Sequence, residues 1–182
     1  AAPLRGHSEC AVLIPKILVF AGSIRTGAYS GKTADCAQRE LAVQNADVTR
    51  ISLADYPLPL MNQHLERDEG IPENAYKLAR LFAAHDALLV CTPEYNGSLP
   101  PLLKNTIDWL SRVDPQPFAG KAVGLMGVAT GAVGTARMQY QLRQTLVFLD
   151  GHPINKPEVM VARAAEAFDA NGTLINEFYR TQ

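Results

Sequence analysis

Two unbroken apolar runs frame this chain, Ile17-Leu18-Val19-Phe20-Ala21 and Ala87-Leu88-Leu89-Val90-Cys91. Runs of this kind, without polar alternation, predict strands covered on both faces, as in a parallel sheet. Each stops abruptly at a loop of unusual composition, Gly22-Ser23-Ile24-Arg25-Thr26-Gly27 after the first and Thr92-Pro93-Glu94-Tyr95-Asn96-Gly97 after the second. From about Ala28 the period becomes helical, with Ala34, Ala37 and Leu41 on one stripe, and Asp47 to Ser52 reads as a short strand. Behind Pro72-Glu73, the residues Ala75, Leu78, Ala79, Phe82 and Ala83 recur at i, i+3, i+4, i+7 and i+8, the spacing of a helix with one buried face. Pro100-Pro101 suits a first helical turn, where a missing N–H costs nothing. After it Leu103, Thr106, Ile107 and Leu110 share a face, while Lys104 and Asp108 meet on another. Lys121 to Val128 predicts a fourth strand. Met138, Leu142, Leu146 and Leu149 line a further helix with Gly151 as its expected C-terminal cap. Glu158 to Ala162 predicts a fifth strand, and Gly172 to Gln182 a last helix of about three turns.

Strands and helices thus alternate about five times, which argues an α/β doubly wound fold: a five-stranded parallel sheet with helices on both faces. Order 2-1-3-4-5 would make strands one and three neighbours, and the switch point between them opens a ligand crevice at the carboxyl ends of the strands. Residues 16–182 are expected to form a single domain, and residues 1–15, which mix Gly, Pro, His and charge without a period, an irregular lead-in. Pro15 and Lys16 interrupt its apolar part, so it reads as a tail rather than a signal peptide. The segment Leu53 to Gly70, with DYPLPLMNQ at its centre, is long for an ordinary connection and is a candidate lid.

Composition narrows the function classes. A length of 182 residues with 47% hydrophobic residues supports one well-buried core. Seventeen Lys+Arg against eighteen Asp+Glu give a net charge of -1 without a basic block, which disfavours a nucleic-acid partner. No apolar run approaches the roughly 18 residues of a membrane span. Cys10, Cys36 and Cys91 are odd in number and far apart, so neither a disulfide framework nor a metal site is indicated, and a cytoplasmic location is expected. His7, His64, His85 and His152 have no Ser, Cys or carboxylate in motif spacing and read as structural or solvated.

The candidate chemistry lies in three loops: Gly22–Ser30, Pro93–Ser98 and the small-residue run Ala129-Thr130-Gly131-Ala132-Val133-Gly134. Gly22-Ser23-Ile24-Arg25 ahead of a helix start offers hydroxyls, free N–H groups, a helix dipole and a guanidinium, which together suit a phosphate dianion. The same residues are also turn formers, and on their own leave both readings open. Thr92 to Gly97 supplies backbone donors, the rigid Pro93 and the ring of Tyr95, a set that suits a flat heterocycle; Tyr95 as a plain surface aromatic is the alternative. Cys91 reads as a core thiol, and Trp109 as a packed or interface ring. Gly31-Lys32-Thr33 looks like the end of the nucleoside-triphosphate motif, but the first glycine fails the count because position 26 is threonine.

Gly22-Ser23-x-Arg25, then Pro93-Glu94-Tyr95-Asn96-Gly97-Ser98 with Leu103-Lys104-Asn105-x-x-Asp108-Trp109, resembles the flavodoxin-like NADPH-dependent FMN reductase family, which includes quinone, chromate and azo-dye reductases. LADYPLPLMNQ and GAVGTARMQYQLRQTLVFLDGHPINKPEV are similar to the family's segments after the second and fourth strands, so the resemblance covers about residues 16–162. It implies that Ser23, Arg25 and Ser30, with the backbone around Ala28 and Tyr29, contact the phosphate of FMN. It further implies that Pro93, Glu94, Tyr95, Asn96 and Gly97 hold the isoalloxazine, bordered by Thr130 and Gly131. Where the family often reads Ser-x-Asn, this chain has Ala28-Tyr29-Ser30. The implied activity is hydride transfer from NADPH or NADH to FMN and on to a small-molecule electron acceptor: a quinone, free flavin, azo dye or metal oxyanion. No catalytic side chain is singled out, because the cofactor carries the chemistry. Homodimers or homotetramers are usual in the family, with the DYPLPLMNQ loop of either subunit over the ring. A flavodoxin-type electron carrier that binds FMN without using nicotinamide is the alternative, which the near-neutral charge disfavours.

Overall fold

The computed structural model describes residues 13–182, so the expected lead-in lies largely outside the described residues, as does Cys10. Strand β1 (Lys16–Ala21) is followed by α1 (Tyr29–Val43), β2 (Asp47–Ile51), α2 (Gln63–Glu69), α3 (Glu73–Ala83), β3 (Ala87–Thr92), α4 (Pro101–Leu110), β4 (Ala122–Val128) and α5 (Ala136–Phe148). The short pieces β5 (His152–Pro153), β6 (Val159–Val161), α6 (Ala164–Ala167) and α7 (Glu177–Arg180) end the described chain. The sheet runs β2-β1-β3-β4-β5, all parallel, with β6 also pairing β4. Register brings Ala21 opposite Cys91 and Thr92 opposite Gly127, so the loops after β1, β3 and β4 leave the sheet at one end.

Alternation along the strands divides the core. Leu18, Phe20, Leu88, Val90, Val123 and Leu125 face α3, α4 and α5, which supply Leu78, Phe82, Leu103, Ile107, Leu142 and Leu146. Phe82 stacks between Phe20 (5.7 Å between centroids) and Phe118 (5.3 Å, edge-on). On the other face Val19 and Cys91 pack against Ala34 of α1, while Val128, Val159 and Val161 pack against Ala164, Phe168 and Leu174. The apolar positions read from periodicity in α3 and α4 are the buried ones except Ala83, which ends α3 exposed, and Lys104 and Asp108 pair at 2.7 Å.

The strand expected at Glu158–Ala162 is present as β6, and a further short strand, His152–Pro153, pairs β4 ahead of it. Three expectations are corrected. The final helix is a single turn, Glu177–Arg180, rather than three; Asn171-Gly172 and Thr173 are instead tied into a turn by the Asp169 carboxylate. The left-handed residue that closes α5 is Asp150 (φ 56°) and not Gly151, which follows it and donates its N–H to Leu146 O at 2.8 Å. With Asp150 N–H bonded to Val147 O, this is the six-to-one, five-to-two pattern of a Schellman end, shifted one residue from the glycine. The stretch Leu53 to Gly70 is not a free lid. It holds a 3-10 turn at Leu53–Asp55 and helix α2, and its middle is bolted to α4: Asn105 accepts from Met61 N–H (2.8 Å) and donates to Pro59 O (2.9 Å), which also accepts from Trp109 Nε1 (2.8 Å). Trp109 is fully buried, a packed ring.

Close packing between β4 and α5 gives a test of this arrangement. A Cβ on Gly127 would lie 1.5 Å from Thr135 Oγ1 and 2.9 Å from Gln139 Nε2. Gly127→Ala is expected to cost about 3 kcal/mol, the upper end of overpacking penalties, read as a lowered urea midpoint with an unchanged slope.

Candidate active site

The three loops singled out in the sequence meet at the carboxyl end of the sheet. Gly22 N–H donates to Cys91 O at 2.8 Å, tying the first residue after β1 to the end of β3. A Cβ at Gly22 would sit 2.4 Å from Thr92 Oγ1, so only glycine lets the two loops leave the sheet in contact.

The first loop turns on Gly27 (φ 70°), with Ala28 N–H bonded to Arg25 O (3.0 Å), and delivers the chain to α1. Ser23 Oγ accepts from Arg25 N–H at 3.3 Å. Ala28 stands at the N-cap, where a Ser, Thr, Asp or Asn would normally accept from the first turn; here there is no side-chain cap and no acidic residue in that turn. The opening N–H groups of α1, at Tyr29, Ser30 and Gly31, therefore keep their donor capacity and the positive end of the helix dipole. Ser30 is 1% exposed and its Oγ has no partner, a buried polar group that calls for an acceptor. Arg25 is exposed and, among the described residues, its guanidinium makes only a 3.4 Å contact to Thr26 O. The Tyr29 ring turns away from the loop to stack on Phe168 (5.6 Å), with Lys32 over it (5.2 Å). Thr33 is fully buried and gives its hydroxyl to Tyr29 O, so neither Lys32 nor Thr33 serves a nucleoside-triphosphate site.

The second loop is a hairpin. Tyr95 and Ser98 exchange both backbone bonds (3.1 and 3.0 Å) around Asn96 (φ 51°) and Gly97 (φ 72°), a two-residue turn of the I′ kind, which requires positive φ at both positions. Tyr95 N–H is thereby used internally, whereas the N–H groups of Glu94, Asn96 and Gly97 have no acceptor among the described residues. The Glu94 carboxylate is nearly buried and turned into the protein, accepting from Met138 N–H (3.1 Å) and Arg137 Nη1 (3.2 Å) at the start of α5. Pro93 is half-buried, and Tyr95 and Asn96 are exposed. In the third loop Thr130 and Gly131 are exposed, and Gly131 O holds Arg163 N–H (3.1 Å), so β6 and α6 brace it from behind. Sequence reasoning passed over Arg137 and Gln141, the α5 residues that hold the hairpin; their only signal is the i, i+4 spacing near a loop whose position the fold supplies.

What the loops present is a set of N–H donors and one buried hydroxyl without partners among the described residues, chemistry that suits an anion; this is the face of the candidate site. Cys91 lies beneath it, fully buried, and burial pushes its thiol up to about 12, which rules it out as a nucleophile. Among the described residues no group of three or more His, Cys, Asp or Glu could hold a metal ion. A cavity of about 870 Å³ lies elsewhere, against the middle of β4 at Gly124 and Met126, between α1 and the C-terminal segment.

Residues 15–166 match the family model described as NADPH-dependent FMN reductase. The chain belongs to the NADPH-dependent FMN reductase family. It is 45% identical over 163 residues to an NAD(P)H-dependent FMN reductase of Pseudomonas aeruginosa, covering 89% of this chain and 85% of that one. It is 41% identical over 146 residues to a quinone reductase of Escherichia coli, covering 80% and 76%. Among solved structures it resembles FerB, a flavoenzyme NAD(P)H:(acceptor) oxidoreductase from Paracoccus denitrificans, with a TM-score of 0.77 and 29% identity over 92% of this chain and 90% of that one. The fold is therefore flavodoxin-like, and the protein is an oxidoreductase that works with FMN and NAD(P)H.

The position of Cys91 predicts its reactivity. Iodoacetamide at pH 8 is expected to leave Cys91 unmodified in the native protein and to label it after denaturation. Labelling of Cys91 in the native protein, read by peptide mass spectrometry, would contradict the buried, protonated thiol.

Proposed function

We propose that residues 16–182 form a single FMN-binding domain in which the flavin phosphate sits at the start of α1 and the ring lies along the hairpin. Ser23, Arg25 and Ser30 hold the phosphate with the backbone at Ala28 and Tyr29; Pro93 to Gly97 hold the ring, and Thr130 and Gly131 border it. The observation that carries this reading is the uncapped start of α1, with a buried Ser30 Oγ that has no partner among the described residues and an Arg25 guanidinium that meets only Thr26 O among them. A dianion supplies what all of these donors lack. The residues present fit FMN better than a nucleotide triphosphate, because Lys32 and Thr33 are already engaged.

When bound, FMN supplies the hydride chemistry between NAD(P)H and an acceptor. The chain's own contribution is to bind, orient and polarise. Arg25 and the α1 N-terminus anchor one end, while the free N–H groups of Glu94, Asn96 and Gly97 offer donors where reduction would build negative charge. The Glu94 carboxylate is committed to α5, so Glu94 serves through its backbone. No side-chain acid or base is required. A quinone or similar small planar acceptor fits the apolar side chains exposed on the loops and the adjoining segment, namely Ile24, Leu60, Tyr95 and Val133. The same exposed residues support assembly of copies into a homodimer or homotetramer, in which they would be covered. A cytoplasmic location is supported by Cys36 and Cys91 as free thiols and by the lack, among the described residues, of a helix long and apolar enough to cross a membrane.

The function is tested by anaerobic titration of the FMN-loaded protein with NADPH and with NADH. Bleaching of the flavin band near one equivalent is expected; an oxidised spectrum that persists in excess of both donors would instead favour an electron carrier. The phosphate site has its own test. Arg25→Ala is expected to weaken FMN binding by about 1.5–3 kcal/mol, the scale of a charge-assisted hydrogen bond, and to leave riboflavin, which has no phosphate, unaffected. Equal affinity of variant and parent for FMN would remove Arg25 from the site.

A further inference from the structure

The hairpin that borders the proposed ring site cannot hold its own shape. Its single antiparallel bridge, Tyr95 to Ser98, is isolated from the sheet, and a lone two-stranded turn is marginal in water. What fixes it is the first two turns of α5. Glu94 ties the near side through Met138 N–H and Arg137. Gln141, one turn further along α5, ties the far side: its Oε1 accepts from Ser98 Oγ at 2.6 Å and its Nε2 donates to Gly97 O at 3.2 Å. One side-chain amide thus engages two consecutive residues, using a donor and an acceptor together. A carboxylate could serve only the Ser98 hydroxyl, and an alkyl chain neither.

We propose that Gln141, which lies outside the three loops, is a positioning residue for the flavin ring: it fixes the directions of the Asn96 and Gly97 N–H groups. This rests on the reading of the hairpin as the ring site. Both residues sit at positive φ, and Asn96 does so with a side chain, so the turn has extended alternatives that its tethers to α5 exclude. Loosening Gln141 lets the donors swing, and their field at the ring changes even though Gln141 itself touches no cofactor.

The test uses Gln141→Ala and Gln141→Glu in the full chain. In flavin-free protein, hydrogen exchange at the Tyr95 and Ser98 amides is expected to speed up in Gln141→Ala. In loaded protein, FMN and riboflavin affinities are both expected to fall by about 3- to 10-fold, the scale of one or two neutral hydrogen bonds, and by the same factor. The flavin midpoint potential is expected to move with them. Gln141→Glu, which keeps the acceptor for Ser98 and loses the donor to Gly97, is expected to fall between parent and Gln141→Ala. Loss confined to FMN, or faster exchange with riboflavin affinity and potential both unchanged, would overturn the proposal and leave Gln141 a purely local tether. A parent protein that binds neither flavin would bring down the ring-site reading itself, whatever the exchange data show.

Discussion

Strands β1 and β3 end side by side, and the missing side chain at Gly22 is what allows their loops to meet. Any Cβ there would lie within 2.4 Å of Thr92 Oγ1, and Thr92 cannot retreat, being fully buried at the end of β3. A larger residue would push the first loop off the second and part the uncapped start of α1 from the hairpin. The bond from Gly22 N–H to Cys91 O then extends the β1–β3 ladder by one step, so the register of two central strands is passed directly to the site. The α/β sheet does more here than provide a core. It sets the distance between two groups of donors that are remote in sequence.

The central part of this arrangement was legible in the sequence because its elements are long and consistently patterned. The runs at 17–21 and 87–91, the stripes of α3 and α4, and the loops after β1 and β3 all lie where periodicity put them. The misreadings fall where tertiary contacts override local signals. Gly151 looks like a helix end, yet Asp150 takes the left-handed position and Gly151 approaches Leu146 O too closely for a side chain to be comfortable. His152–Pro153 is too short to show a period and is a strand only because Lys121 O and β4 receive it. The segment at Pro57–Met61 has no period of its own; Asn105 and Trp109, more than forty positions away, define it. At the site, residue types and loop order could be read directly. The inward turn of Glu94 could not, since a carboxylate next to an aromatic in a loop looks available until helix α5 is placed against it.

The two halves of the proposed site are built to different tolerances, and the difference follows from what each would have to do. The proposed phosphate end would rely on a charged side chain with four flexible bonds and on backbone N–H groups that radiate from a helix start. These forgive an ångström of movement, because charge attraction falls slowly with distance. At the proposed ring end, the charged side chains among the described residues are already paired with each other. Glu94 and Arg137 neutralise one another at 3.2 Å, and the remaining donors are amides of a turn whose conformation is nearly unique. Hydride transfer is demanding in the opposite way from anchoring, since reacting atoms must be held about 3–3.5 Å apart with orbitals aligned. A hairpin with two tethers to one helix suits that requirement, whereas a long basic side chain would trade precision for strength. Helix α5 in turn is locked through the fully buried Gln139, whose Nε2 donates to Val159 O at 2.7 Å on β6. The sheet therefore reaches the hairpin by two routes, directly through β3 and indirectly through β6 and α5. Strand β6, which also buries Val159 and Val161 in the core, is the far anchor of the second route.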